Sequence, residues 1–226
     1  MKWLKEAFRK IKWDKSLFFR SFLWLGILLI LIDQGTKWAC QLSLEYDEPV
    51  TVIKNFFYIT LSNNTGMAWS VGAGKAWGRA LLIVISVVMS VAFYLYWRKN
   101  VEKETKPMNA ALMLIFAGAF ANLIDRAVYF FPKDSGYPYG VIDWIQFYLG
   151  GGPGANPTGL FQYLNPFPTF NIADAAIVIG IAFLIVLLIV RSIKEARASK
   201  DLHCMYTLDS FQESNHIILV WLRCSP

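Results

Sequence analysis

Charged side chains are scarce in this chain, at 17% of 226 residues, and there are only two histidines. Cysteine is limited to Cys40, Cys204 and Cys224, an odd set with no metal-ligand spacing. His203 stands beside Cys204, with His216 and Cys224 further on, but those intervals match no zinc pattern. The tail is therefore expected to be untethered, and neither a metal nor an organic cofactor is expected. No internal repeat marks the inverted halves of a transporter. No small-residue A-x-A site follows the first apolar run, so that run is a retained helix and not a cleaved leader. Lys37 and Trp38 occupy positions where a lipid-attachment cysteine needs small or aliphatic neighbours, which removes Cys40 from that role.

What is present is grease. The chain is 56% hydrophobic and 16% aromatic, with a mean hydropathy of +0.41, values that fit a polytopic membrane protein. Segments at about 22–41, 80–97, 108–124 and 171–190 approach the roughly 20 residues needed to cross a bilayer. Lys and Arg crowd the N-terminal arm, the connection after the second span and the stretch after the fourth, while two long connections carry few. The positive-inside rule then puts both termini in the cytoplasm and the long connections outside. The +6 net charge reports topology and anionic lipid, not nucleic acid. The expected division is a basic cytoplasmic arm (1–20), a four-helix membrane domain (21–192) and a cytoplasmic tail (193–226), working as a monomer.

The outer connections have their own character. In the first, about 42–78, the run Val50 to Leu61 is rich in β-branched and aromatic residues and predicts a strand with Phe57, Ile59 and Leu61 on one face. Asn63, Asn64, Thr65 and Gly66 supply turn chemistry, after which Met67, Trp69 and Val71 alternate. In the second, about 126–169, the glycines around Pro153 predict a flexible middle, and Val141 to Tyr148 resembles an interfacial helix. The fold class is membrane all-α: a four-helix bundle with a small extracytoplasmic β element and an interfacial loop or helix.

Two acids end apolar runs. Asp125 closes the third span, Asp174 opens the fourth, and each has an asparagine three residues ahead, Asn122 and Asn171. An ionisable group at the edge of hydrocarbon is costly and is a functional-site hypothesis by default. Antiparallel neighbours joined outside bring Asp125 and Asp174 to one depth, and the first helix delivers Asp33 and Lys37 there. A pair of close carboxyls shares one proton, so one member activates water while the other donates to a carbonyl oxygen. Asn122 and Asn171 would orient the carboxyls or bond substrate, and Arg126 would anchor a phosphate or carboxylate. Structural readings compete: Asp33 and Lys37 as a mutual i,i+4 ion pair, Asp174 as a partner of the helix dipole, and Asp125 with Arg126 as a surface pair. Two rival functions remain, a transporter or channel relaying protons or cations through the acids, and a non-catalytic lipid-binding factor.

Five ordered blocks give a family resemblance. They are Asp33 to Lys37, Asn64 to Ser70, Gly118 to Arg126, Val141 to Trp144, and Phe170 to Asp174. Over about 25–190 the chain resembles the bacterial lipoprotein signal peptidases, the type II signal peptidases. The resemblance implies catalytic roles for Asp125 and Asp174, and supporting roles for Asp33, Lys37, Asn64, Gly66, Gly118, Asn122, Arg126, Asp143 and Asn171. It further implies a diacylated prolipoprotein substrate, cut just before its lipidated cysteine, and membrane lipid as a partner. Ala117 and Ala121 stand where the family often has glycine, Trp69 and Trp144 where it has phenylalanine, and Met67 where it has alanine.

Overall fold

The structure is a computed structural model that describes residues 15–64, 76–130 and 140–211. The basic residues at 2–12, the segment from Gly66 to Val71 and the far tail with His216 and Cys224 lie outside the described residues. The chain forms two units, Met1–Ile181 and Ala182–Pro226.

A short helix, α1 (Lys15–Arg20), leads into α2 (Leu23–Ser43). Three more long helices follow: α3 (Ala76–Asn100), α4 (Lys106–Val128) and α5 (Ile172–Phe211). Each of the four contains a stretch long and apolar enough to cross a membrane, over Leu23–Ser43, Ala80–Asn100, Lys106–Val128 and Ile172–Lys200. The four expected spans are all there, as is the all-α membrane class with its small sheet.

Helix α4 is the most enclosed of α2, α3 and α4. Half of its apolar stretch is buried, against 22% for α2 and 11% for α3. Small residues make that enclosure possible, because interhelical packing in lipid depends on close backbone approach. Ala117 and Ala121 are fully buried, and Leu29 of α2 meets Ala117 of α4 and Ala176 of α5 in one cluster. Gly118 is the tightest point: a Cβ there would collide with the Ala173 carbonyl oxygen and lie 2.8 Å from Ile177 Cγ1. Where α4 begins, Thr105 caps it by accepting from the Met108 N–H at 3.4 Å. Asn109 there donates to the Val101 carbonyl at 2.9 Å.

Three strands form one antiparallel sheet in the order β1 (Val50–Ile53), β2 (Phe57–Asn64), β3 (Val141–Phe147). The single strand expected over Val50 to Leu61 is a hairpin, turned by Asn55 at φ 62°. Asparagine tolerates that left-handed conformation better than most residues. The expected apolar face also shifts. Tyr58 and Thr60 are buried in place of Phe57 and Ile59, and the register slip between Ile59 and Ser62 then reverses the alternation so that Leu61 is buried too. The interfacial helix expected over Val141 to Tyr148 is corrected to a strand. Val141, Ile142 and Ile145 are β-branched, and β2 offers an otherwise open edge, so pairing satisfies backbone groups that a lone turn of helix would not. On its far side β3 receives Phe170, whose carbonyl accepts from the Trp144 and Ile145 N–H groups at 3.1 and 2.8 Å. That clasp delivers the chain to the start of α5.

Candidate active site

Helix α2 brings one face of polar residues into an apolar interior. Lys37 is 1% exposed. Its ammonium lies 2.7 Å from Asp33 Oδ2 and 2.8 Å from Asp125 Oδ2, and it donates to Asn122 Oδ1 at 3.0 Å. An ammonium has three protons to place, and here each has an acceptor. The pairing of Asp33 with Lys37 expected from their spacing is present, and Asp125 completes it into a three-residue cluster.

Asp125 is committed on both oxygens. Gln34 Nε2 donates to Oδ1 at 2.8 Å, and the Ile142 N–H donates to Oδ2 at 3.2 Å beside Lys37. Asp33 turns its other oxygen to α5, accepting from the Ala173 N–H at 2.9 Å. That group belongs to the first turn of the helix and lacks an intrahelical partner, so α2 caps α5 across the bundle.

Asn171 precedes α5 and forms a capping box with Asp174. The Asp174 N–H donates to Asn171 Oδ1 at 2.9 Å, and the Asn171 N–H donates back to Asp174 Oδ2 at 3.3 Å. The Asn171 side-chain amide donates to Asp143 Oδ1 at 2.7 Å, to Asn122 Oδ1 at 3.1 Å and to the Ile142 carbonyl at 3.2 Å. Asn122 in turn donates to Asp174 Oδ1 at 2.7 Å. Asn171 thus touches both Asp143 and Asp174, and Asn122 fixes the remaining oxygen of Asp174.

Electrostatics separate the acids. Burial first, and then the negative charge of Asp174, push the Asp143 carboxyl up from 3.8 to about 7. Hydrogen bonds from Asn171 and Asn64, and the charge of Lys37, pull the other way without offsetting the rise. Asp143 is 2% exposed, whereas Asp174 is half-buried. Arg126, half-buried at the end of α4, lies within electrostatic reach of Asp174, Asp125 and Asp143.

Asp33, Lys37, Asn122, Asp125, Asp143, Asn171 and Asp174 therefore converge, with Asn64, Gly118 and Arg126 around them. Gly66 lies outside the described residues. The geometry does not treat Asp125 and Asp174 as a matched couple. Asp174 accepts from Asn122, Asn122 accepts from Lys37, and it is Lys37 that touches Asp125, whereas Asn171 bonds both Asp174 and Asp143 directly. Sequence reasoning missed Gln34, although its place three residues before Lys37 put it on the same helical face. It also missed the Ile142 N–H, whose direction toward Asp125 is set by the pairing of β3 and not by any local pattern.

Four carboxyl groups and one lysine gathered at one end of an apolar bundle are what a membrane-embedded hydrolase of the aspartic type needs. Residues 25–190 match the family described as signal peptidase (SPase) II, and the chain belongs to that family. It is similar to a lipoprotein signal peptidase of Anoxybacillus flavithermus, at 33% identity over 172 residues that cover 73% of this chain and 87% of that protein. It is also similar to two solved bacterial membrane enzyme structures determined by the in meso method. One has 26% identity and a TM-score of 0.56, with 74% of this chain and 91% of that chain covered. The other has 28% identity and a TM-score of 0.56, with 76% and 88% covered.

Proposed function

We propose that the protein removes the signal peptide from diacylglyceryl-modified prolipoproteins, cutting just before the lipidated cysteine, with Asp143 and Asp174 as the water-activating pair. The observation that carries the pairing is Asn171, which donates to Asp143 Oδ1 at 2.7 Å from its side chain and to Asp174 Oδ2 at 3.3 Å from its backbone; burial first, and the charge of Asp174 second, raise the Asp143 carboxyl to about 7. Near neutral pH such a pair divides one proton, as aspartic peptidases require. Asp125, matched to the catalytic position by resemblance, takes a different part here. Its bonds to Lys37, Gln34 and the Ile142 N–H make it the post that holds α2, α4 and β3 together.

The reaction then runs on these side chains. Asp174 takes a proton from water as the oxygen attacks the scissile carbonyl carbon, and Asp143 gives its proton to the carbonyl oxygen. Collapse of the resulting gem-diol returns one hydroxyl proton to Asp143. The C–N bond breaks, and the proton on Asp174 passes to the leaving amine of the cysteine. Each acid ends as it began. Asn122 and Asn171 hold Asp174 through this exchange, while Arg126 and Asn64 border the site for the peptide backbone.

By the distribution of Lys and Arg, both termini face the cytoplasm and the acids lie at the extracytoplasmic boundary. A diacylated peptide is confined to that boundary, and its acyl chains fit between the helices. The test is cleavage of a diacylated and an unlipidated precursor by the protein in nanodiscs, with the product N-terminus read by mass spectrometry. A new amino terminus at the lipidated cysteine, and a much slower reaction without lipid, is expected. Equal rates for the two precursors, or cleavage elsewhere, would overturn the reading.

A further inference from the structure

The connection from β3 to α5 is an ordered loop with an unusual surface. Its base is closed by the Phe167 N–H donating to the Phe147 carbonyl at 2.7 Å and the Leu149 N–H donating to the Leu164 carbonyl at 3.3 Å. Asn165 ties its interior, accepting from the Gly150 N–H at 3.1 Å and donating to the Gly152 carbonyl at 3.3 Å. Gly152, at φ 94°, presses on the β1–β2 turn so closely that a Cβ would come 2.8 Å from Asn55 Cα. The loop is therefore docked on the sheet. Its outermost part is a single 3-10 segment (Gly159–Leu164). There Leu160, Phe161 and Tyr163 are 71, 52 and 78% exposed.

Residues 149–169 contain no charged side chain at all. The hairpin on which the loop is docked exposes Val52, Ile53 and Phe56 as well. Monomeric soluble surfaces seldom expose so many large apolar side chains in one region without an interaction to cover them. Val52 follows the end of one membrane-spanning helix by nine residues, and Tyr163 precedes the start of another by nine. α2 ends at Ser43, after the exposed Trp38 and Leu42, and α5 begins at Ile172. A lipid–water boundary is thus already adjacent, and it accepts uncharged aromatic surface, tyrosine in particular, whose ring sits in the apolar zone with its hydroxyl in water.

We propose that loop 148–169 is an interfacial wedge, with Leu160, Phe161 and Tyr163 inserted into the headgroup region of the leaflet that the acid-bearing end of the bundle faces. The wedge extends the membrane contact of the sheet and fixes its depth. It stands independently of the cleavage chemistry, because it concerns lipid contact alone.

Depth measurement tests it. Tyr163→Cys is prepared in full-length protein with Cys40, Cys204 and Cys224 replaced by serine, labelled with an environment-sensitive fluorophore, and reconstituted at one copy per nanodisc. Leu160→Cys is a second reporter, should the first variant express poorly. Leu31→Cys, facing outward from α2, and Lys103→Cys, on the α3–α4 connection, are the lipid and water references. A doxyl group near the lipid headgroup is expected to quench the Tyr163 label at least half as strongly as the Leu31 label. Quenching no greater than at Lys103 would overturn the proposal. So would shielding from aqueous quencher without lipid quenching, the result expected if protein covered the patch.

Discussion

Asn122–Asp125 and Asn171–Asp174 carry the same residue types at the same interval, one at the close of α4 and the other across the start of α5. Inside α4 the interval places both side chains on one buried face, and Lys37 reaches across to both. At the start of α5 the same interval makes a capping box, so Asn171 and Asp174 first satisfy each other. One aspartate ends in a region where a cation is in direct contact. The other ends half-buried beside Asp143, with amide donors close by and the guanidinium of Arg126 only within reach. Identical spacing therefore gives a lysine-paired carboxylate in one place and a capping-box carboxylate in the other, which the proposed mechanism reads as a structural post and a proton-sharing partner; what differs is the helix end that receives it.

The largest effect should come from breaking this distinction. Asp143→Asn and Asp174→Asn are each expected to lower kcat for a diacylated precursor by about 10²–10⁴-fold, the usual worth of a positioned acid or base; at acid pH, where Asp143 is protonated in both folded and unfolded chains, Asp143→Asn should leave the melting temperature nearly unchanged. Asp125→Asn should lower the melting temperature while retaining measurable turnover. A melting temperature unchanged in Asp125→Asn together with complete inactivity would return the catalytic role to Asp125.

Lys37→Met probes the charge-paired half. It leaves Asp33 and Asp125 buried without their common cation, a loss expected to cost about 3–5 kcal/mol. Chemical denaturation in detergent would measure it. Activity per folded molecule should fall less than in the Asp143 and Asp174 variants, since Lys37 contacts neither carboxyl.

The other half should respond to pH. Asp143 is raised in the folded protein, so the folded state binds its proton more tightly than the unfolded chain does. Its stabilising contribution is complete below the ordinary carboxyl range and is lost as pH rises to about 7. Since one pKa unit corresponds to about 1.4 kcal/mol, the slope over that window should amount to a few kcal/mol. Asp143→Asn should flatten it. On the proposed mechanism, in which Asp143 donates its proton, cleavage should decline as pH passes about 7.

Much of this was legible in the chain. Runs of apolar residues interrupted by Lys and Arg specify the spans, and Asp33, Lys37, Asn122, Asp125, Asn171 and Asp174 announce themselves because charges and amides are rare in such runs. The role of Asp143 was not legible at the same level. It lies in a short apolar stretch whose periodicity suits either helix or strand, and only pairing of β3 with β2 and Phe170 aims it at Asn171. Gln34 was hidden for a related reason, since its partner Asp125 is 91 positions away. Local pattern fixes which residues are polar in grease, while long-range contact decides which of them face each other.

The smallest expected effect lies at the joint between the two regions. Gly118 lets α4 approach the first turn of α5, where Ala173 donates to Asp33 and Asp174 begins its box. Gly118→Ala places a methyl against the Ala173 carbonyl, which is backbone and cannot swing aside, so overpacking should cost about 1–3 kcal/mol. Because α5 would have to back away from α4, the Asn122–Asp174 bond at 2.7 Å should lengthen while the Lys37–Asp125 contact stays. The variant should therefore lose turnover out of proportion to its stability, and Gly35→Ala, with open space around its Cβ, should lose neither. If both alanine variants behave alike, the joint transmits nothing and the two acid regions are independent.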